Sequence, residues 1–230
     1  MPSHYVIFQG EYIAFIDPKD AAYLKNLFTK KLESDANIMV FTSASPDCQL
    51  CGKTLELMKE VASLSDKIKV TEYDIVKNEK EAKFLGVDKT PAVVIGGKKI
   101  YNMFYFGMPY GHEFSALIND IIEASAGNTT LKQETKDKIK EVNKKMHIMV
   151  FVTPTCPYCP IAVHMAHQFA IENPNIRSEM IEAMEFPELA DKYGVMAVPK
   201  IVINDAVEFE GAVPEEMFLD YINEALKKAQ

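Results

Sequence analysis

All four cysteines of the chain fall in two C-x-x-C pairs, Cys48/Cys51 and Cys156/Cys159, and each pair is followed by a proline at one fixed distance. Cys48 precedes Pro91 by 43 residues, and Cys156 precedes Pro199 by 43. One interval of that length, kept twice between a dithiol and an apolar, proline-led segment, indicates duplication of a single redox-active unit. A shift of 108 residues also lays Gly86-Val87 on Gly194-Val195, Val93-Val94-Ile95 on Ile201-Val202-Ile203, and Asp74 on Glu182. Upstream the shift is 110, which gives the first copy a longer loop at Ser43 to Asp47; downstream it is 104, which shortens the second hairpin. Drift confined to turns is what a folded duplication produces.

Each copy has the same order of elements. A short apolar run reads as a buried strand, Ile38 to Thr42 or His147 to Val152, and the C-x-x-C follows it at the head of a helix. In the first copy that helix is marked by Leu50, Leu55, Met58, Val61 and Ala62. Next come a strand, Ile68 to Ile75 or Arg177 to Ala183, and a charged helix ended by Gly86 or Gly194. The prolines lead β-branched runs that turn at Gly96-Gly97 and Asn204-Asp205, the mark of a hairpin. An amphipathic helix closes each unit, from Gly111 to about Ala126 and from Pro214 to about Lys228. The fold class is α/β, with two tandem units, each a mixed sheet flanked by helices. Gly127 to Thr130 marks the boundary, so the units are 1–127 and 128–230. A strand-like stretch from Tyr5 to Ile16 has no counterpart in the second copy and reads as an added edge strand or a cap.

A net charge of −8 and a single arginine, Arg177, exclude nucleic acid as a partner, since phosphate binding needs clustered positive charge. No apolar run reaches the roughly 18 residues of a membrane helix. The amino terminus carries Glu11 and no basic-then-apolar pattern, so a secretory leader is not expected and the cytoplasm is. There, paired cysteines serve redox catalysis or metal binding more often than structural disulfides, heat-adapted organisms excepted, and the Lys/Glu-rich composition is compatible with such a source.

A thiol attacks a disulfide as thiolate, and the free N–H groups and positive end of a helix's first turn favour that anion. Cys48 and Cys156 are placed to attack, with Cys51 and Cys159 one turn along to resolve. Asp47 opposes a thiolate at Cys48, whereas Cys156 has the uncharged neighbours Thr155, Pro157 and Tyr158; Cys156 is expected to have the lower pKa and to react faster. Four thiolates could also form a zinc cage, but these pairs lie more than 100 residues apart, against a usual spacer of roughly 15 to 20. No metal is expected.

Thr90-Pro91 and Val198-Pro199 read either as trans prolines opening strands or as cis bonds that bring the preceding backbone beside the dithiol to meet substrate. Their equal distances from the cysteines favour cis. Tyr158, between two cysteines, is expected to be exposed at the substrate surface. Asp74 and Glu182 each lie 26 residues after the first cysteine of their pair; each is either an exposed strand-end acid or a buried one able to take the proton of Cys51 or Cys159. His164 and His167 share a helix face and are read as solvated in preference to metal-binding.

The order strand, C-x-x-C, helix, strand, helix, X-Pro, hairpin, helix resembles the thioredoxin/glutaredoxin fold, and Cys156-Pro157-Tyr158-Cys159 resembles the glutaredoxin tetrapeptide. Two such units in one chain resemble the protein disulfide oxidoreductases, or glutaredoxin-like proteins, of thermophilic archaea and bacteria. The resemblance implies two units joined through a shared sheet, acting on protein disulfides as reductase, oxidase or isomerase. It implies no cofactor beyond the redox-active cysteines, disulfide-containing proteins as substrates, and a flavin thioredoxin reductase as electron donor. Cys48-Gln49-Leu50-Cys51 departs from the usual tetrapeptides, and Val150 stands where thioredoxin has a buried aspartate. Two other readings differ in kind: a dithiol carrier between a flavoprotein and a peroxiredoxin, and a holdase that clamps unfolded chains.

Overall fold

The computed structural model describes residues 14–228. In chain order the elements are α1 (Pro18–Lys31), β1 (Ala36–Thr42), α2 (Cys51–Ala62), β2 (Ile68–Asp74), α3 (Glu79–Leu85), β3 (Ala92–Gly96), β4 (Ile100–Phe106), a 3-10 turn (Gly111–Glu113) and α4 (Phe114–Ala126). They continue with α5 (Gln133–Lys140), β5 (Met146–Val152), α6 (Cys159–Glu172), β6 (Ile176–Glu182), α7 (Pro187–Lys192), β7 (Lys200–Ile203), β8 (Val207–Glu210) and α8 (Glu215–Lys228).

The eight strands of the described residues belong to one sheet, in the order β2-β1-β3-β4-β6-β5-β7-β8. Each half contributes the same four-strand pattern, with a parallel crossover first and an antiparallel hairpin last. The halves meet where β4 runs parallel to β6, Met103 beside Ser178 and Phe106 beside Ile181. That pairing explains a difference between equivalent strands. β2 is an outer edge and is half exposed, with Lys69 and Glu72 turned to water, whereas β6 is covered by β4 and is buried at all but one position.

Alternating side chains feed two cores. Ile38, Val40, Met103, Tyr105, Ile148 and Val150 point to the face that carries α1, α2, α4, α5, α6 and α8. Met39, Phe41, Phe104, Phe106 and Phe151 point to the other, under α3 and α7. The second hairpin turns at Asn204 and Asp205, both at positive φ (52° and 53°), the two-residue geometry that matches strand twist.

Two corrections concern the elements that precede each first strand. Tyr5 to Ile13 lie outside the described residues, but Phe15 and Ile16 are not strand: their N–H groups donate to the Glu60 carboxylate on α2, at 2.8 and 3.0 Å. The chain then forms α1, capped by Asp17, which buries Leu24 and Phe28. The second half has its own helix at the same place, α5, shorter and anchored by Ile139. A helix before the first strand is therefore part of both halves.

Candidate functional site

Both dithiols lie at the loop between the first strand of a half and the helix that follows it. In each case the second cysteine, not the first, is the first helical residue: α2 opens at Cys51 and α6 at Cys159. The first cysteine sits before the helix, where unpaired N–H groups can reach its sulfur. Cys159 N–H donates to Cys156 Sγ at 3.2 Å, and Ser43 N–H reaches Cys51 Sγ at 3.2 Å. Cys48 and Cys51 are joined as a disulfide with Cα atoms 5.4 Å apart, while Cys156 and Cys159 are free thiols.

Thr90-Pro91 and Val198-Pro199 are both cis. The second brings the Val198 carbonyl to 3.6 Å from Cys156 Sγ, so the backbone before the proline stands beside the sulfur. Tyr158 is 64 % exposed and Met196, two residues before Val198, 91 % exposed. Both cysteines are buried, Cys156 keeping 8 % exposure and Cys159 none. Burial, then the hydrogen bond with Cys156, pushes the Cys159 thiol well above its ordinary value.

Among the groups that act on that thiol is Glu113, which belongs to the first half. The loop after β4 crosses onto the second dithiol's loop: His112 N–H donates to Pro154 O at 3.1 Å. The approach is so close that a β-carbon on Gly111, at φ +65°, would stand 2.4 Å from that same oxygen. Glu113 is 1 % exposed, and neither of its carboxyl oxygens has a hydrogen-bond partner among the described residues. Burial, reinforced by Asp120, raises its pKa to about 8. Such a carboxyl can take a proton from a buried thiol only in its ionised form, which predominates above about pH 8.

The other predicted acids are placed differently. Asp74 turns into its own loop, accepting the N–H groups of Val76 and Lys77 at 3.0 and 2.9 Å, and the Lys77 bond foremost holds it below the usual carboxylate range. Glu182 is buried, which raises its pKa, and accepts the Glu185 N–H at 2.6 Å. Its β-carbon faces Gly107 of the first half, where an added methyl would stand 2.5 Å away.

The histidines overturn their expectation. His167 is fully buried and His164 is 21 % exposed at its side chain, because α4 covers this side of α6. Their Nδ1 atoms lie 2.6 and 2.5 Å from the two oxygens of Asp120, a fully buried residue of α4 that also accepts the Tyr105 hydroxyl. No group of three or more His, Cys, Asp or Glu side chains suited to a metal occurs among the described residues. Sequence reasoning missed Glu113 and Asp120. The available signal was acids at 113 and 120, seven apart on one helical face with Ala116, Leu117 and Ala124, the apolar side of that helix.

A thioredoxin-domain family model matches the chain twice, over residues 36–119 and 146–224. Among solved structures, the chain is similar to a protein disulfide oxidoreductase from Aeropyrum pernix K1, with 34 % identity, a TM-score of 0.87, and coverage of 94 % of this chain and 96 % of that one. The alkylhydroperoxide reductase AhpF of Enterococcus faecalis matches at 24 % identity with a TM-score of 0.83, covering 90 % of this chain and 99 % of that one, and shows the same fold. An alkyl hydroperoxide reductase protein of Staphylococcus epidermidis is 30 % identical over 82 % of this chain and 34 % of its own length. The chain thus spans about a third of the length of the curated relatives it matches.

Proposed function

The chain belongs to the thioredoxin-domain family, in a tandem arrangement, and from that membership we propose that it exchanges thiols and disulfides on proteins with Cys156–Cys159 as the principal working pair. The observation that carries the reading is the build of the second site: the slightly exposed Cys156 beside the Val198 carbonyl, a sealed partner thiol, and the unpartnered carboxyl of Glu113.

In reduction, the Cys156 thiolate attacks one sulfur of a substrate disulfide. The substrate S–S bond breaks, a mixed disulfide forms, and the first substrate thiolate leaves. Cys159 then gives its proton to Glu113 and attacks Cys156 Sγ, releasing the second substrate thiolate. Two electrons have passed to the substrate, and the pair remains as a disulfide. Run backwards, the same steps oxidise a substrate dithiol. The proton acceptor is placed at Glu113 in preference to Glu182 and Asp74, and Val198-Pro199 with Tyr158 forms the substrate edge, as Thr90-Pro91 does for Cys48–Cys51. The units divide at Gly127, a left-handed helix end at φ +64°. A flavin-containing reductase is the electron source, and disulfide-bearing proteins are the substrates. Among the described residues no helix is long and apolar enough to cross a membrane.

The 30 % identity to an alkyl hydroperoxide reductase protein favours a second reading, a dithiol carrier between a flavoprotein and a peroxiredoxin. Insulin reduction by thiol-charged protein separates the cases. Cys156→Ser is expected to lose about 10²-fold or more of the rate, and Cys48→Ser/Cys51→Ser to keep a substantial part of it. A wild-type protein inert on insulin but competent to reduce a peroxiredoxin would shift the function to the carrier; full activity in Cys156→Ser would sink the assignment of the working pair.

A further inference from the structure

The helices α4 and α6 face each other along a seam of polar side chains inside the apolar core. Near the amino ends, the turn that carries the buried Glu113 lies against the loop before Cys156, His112 N–H on Pro154 O, and the Glu113 charge acts on the Cys159 thiol. One to two turns further, about 10 Å along the axis, Asp120 holds His164 and His167, and beyond it Glu123 accepts the side-chain amide of Gln168 at 2.8 Å. Glu113 and Asp120 share a helical face at i and i+7, as Cys159 and His167 do at i and i+8. Buried charges so arranged interact strongly, because little water screens them. Only one member of the middle rung is open: His164 lines a groove of about 380 Å³ with His112, Asn119 and Pro157, beside the dithiol loop.

We infer that the His164–Asp120–His167 rung positions the charge that governs proton transfer from Cys159 to Glu113, with His164 reporting the groove's surroundings to the buried acid. This rests on Glu113 as the proton acceptor. The groups facing the rung are Tyr105 from β4, Glu113 from the 3-10 turn and Glu123 from α4, with His112 sharing the groove with His164; apart from the histidines these are acids or weak acids. Histidine charge is therefore what offsets the Asp120 carboxylate. Burial opposes a charge on His164, but Asp120 outweighs it and holds the imidazole above its ordinary value. Against a strong burial effect, His167 first and His164 second keep Asp120 below its own.

The consequence has opposite signs for the two partners. Without the His164 charge, Asp120 bears harder on Glu113, which then accepts the Cys159 proton only at higher pH. Without the Asp120 charge, Glu113 ionises more readily and the step begins at lower pH. The test uses the full chain with Cys48→Ser/Cys51→Ser and dithiobis(nitrobenzoate) as probe. Attack by Cys156 releases one nitrothiobenzoate and leaves the other as a mixed disulfide; attack by Cys159 releases the second in a unimolecular phase that is followed against pH.

His164→Gln is expected to move the midpoint of that phase up by about one pH unit, and Asp120→Asn to move it down by a similar amount. Loosened packing would move both the same way or neither. If Glu113→Gln removes the midpoint while the two variants fail to move it in opposite senses, the inference is overturned and the proton acceptor stands. If Glu113→Gln leaves the profile unchanged, the acceptor itself is wrong and the inference falls with it. Should Asp120→Asn not fold, His164→Gln, whose side chain opens on the groove, decides alone: an unmoved midpoint overturns the proposal.

Discussion

Glu113 is the residue whose physical state departs most from its appearance in the sequence. In an unfolded chain it is an ordinary carboxylate; folded, it is buried with a pKa of about 8. Glu185, half-buried beside Glu182, is likewise raised to about 7, with desolvation the larger cause. A carboxyl whose folded pKa is raised binds a proton more tightly in the native state. Its contribution to stability is complete below the unfolded pKa and is lost as pH rises through the folded one. Glu179 is the opposite case: His147 and Arg177 outweigh its burial and bring it to about 2, so its contribution is present at neutrality and disappears only in strong acid. The urea midpoint is therefore expected to decline between about pH 5 and pH 8. Glu113→Gln should flatten that decline. An equal slope in wild type and variant would show that position 113 takes no proton on folding.

At the scale of elements, strands, dithiols, prolines and hairpins were legible because each rests on a local rule: an apolar run, a φ-restricted residue, a two-residue turn. The helices α1 and α5 were not, since α5 carries a single buried aliphatic side chain, Ile139, in an otherwise polar and charged octet. Its helicity depends on a neighbour that the local sequence does not contain. Likewise His164 and His167 resemble any solvated i, i+3 pair until α4 is laid over them. Arg177 shows the same dependence. In the sequence it is notable only as the sole arginine; in the fold it leaves β6 to donate to the carbonyls of Leu85 and Gly86 at 3.3 and 2.8 Å, ending α3 of the other half. Its guanidinium also stacks 3.7 Å above the Phe104 ring and pairs with Glu179. Lysine can supply the charge but not the planar fork. Arg177→Lys is expected to cost about 2 kcal/mol in chemical denaturation, and a loss within about 0.5 kcal/mol would reduce the contact to a surface pair.

For the whole molecule, duplication does not produce two equal sites. Since β6 lies beside β4, the loop that follows β4 is carried onto the second dithiol's loop, and with it come Glu113 and Asp120 of the first half, the acids proposed to act there. The equivalent loop of the second half follows β8, which ends the sheet, so the contribution cannot be returned through the same contact. The second half produced alone as 128–230 would turn β6 into an open edge, and α6 would lose the cover over His164, His167 and Gln168 that α4 provides. His167 would also lose the carboxylate that accepts its hydrogen bond. Such a fragment is expected to self-associate in sedimentation. Its second nitrothiobenzoate phase above about pH 8, where Glu113 is ionised, should be slower by about 10²-fold than in the full chain, the typical worth of a positioned base. Addition of 1–127 should recover part of the rate, because the missing acids return with the strand that carries them. A monomeric fragment that resolves its mixed disulfide at the full-chain rate would mean that each dithiol is self-contained, and that the parallel β4–β6 seam joins the units without joining their chemistry.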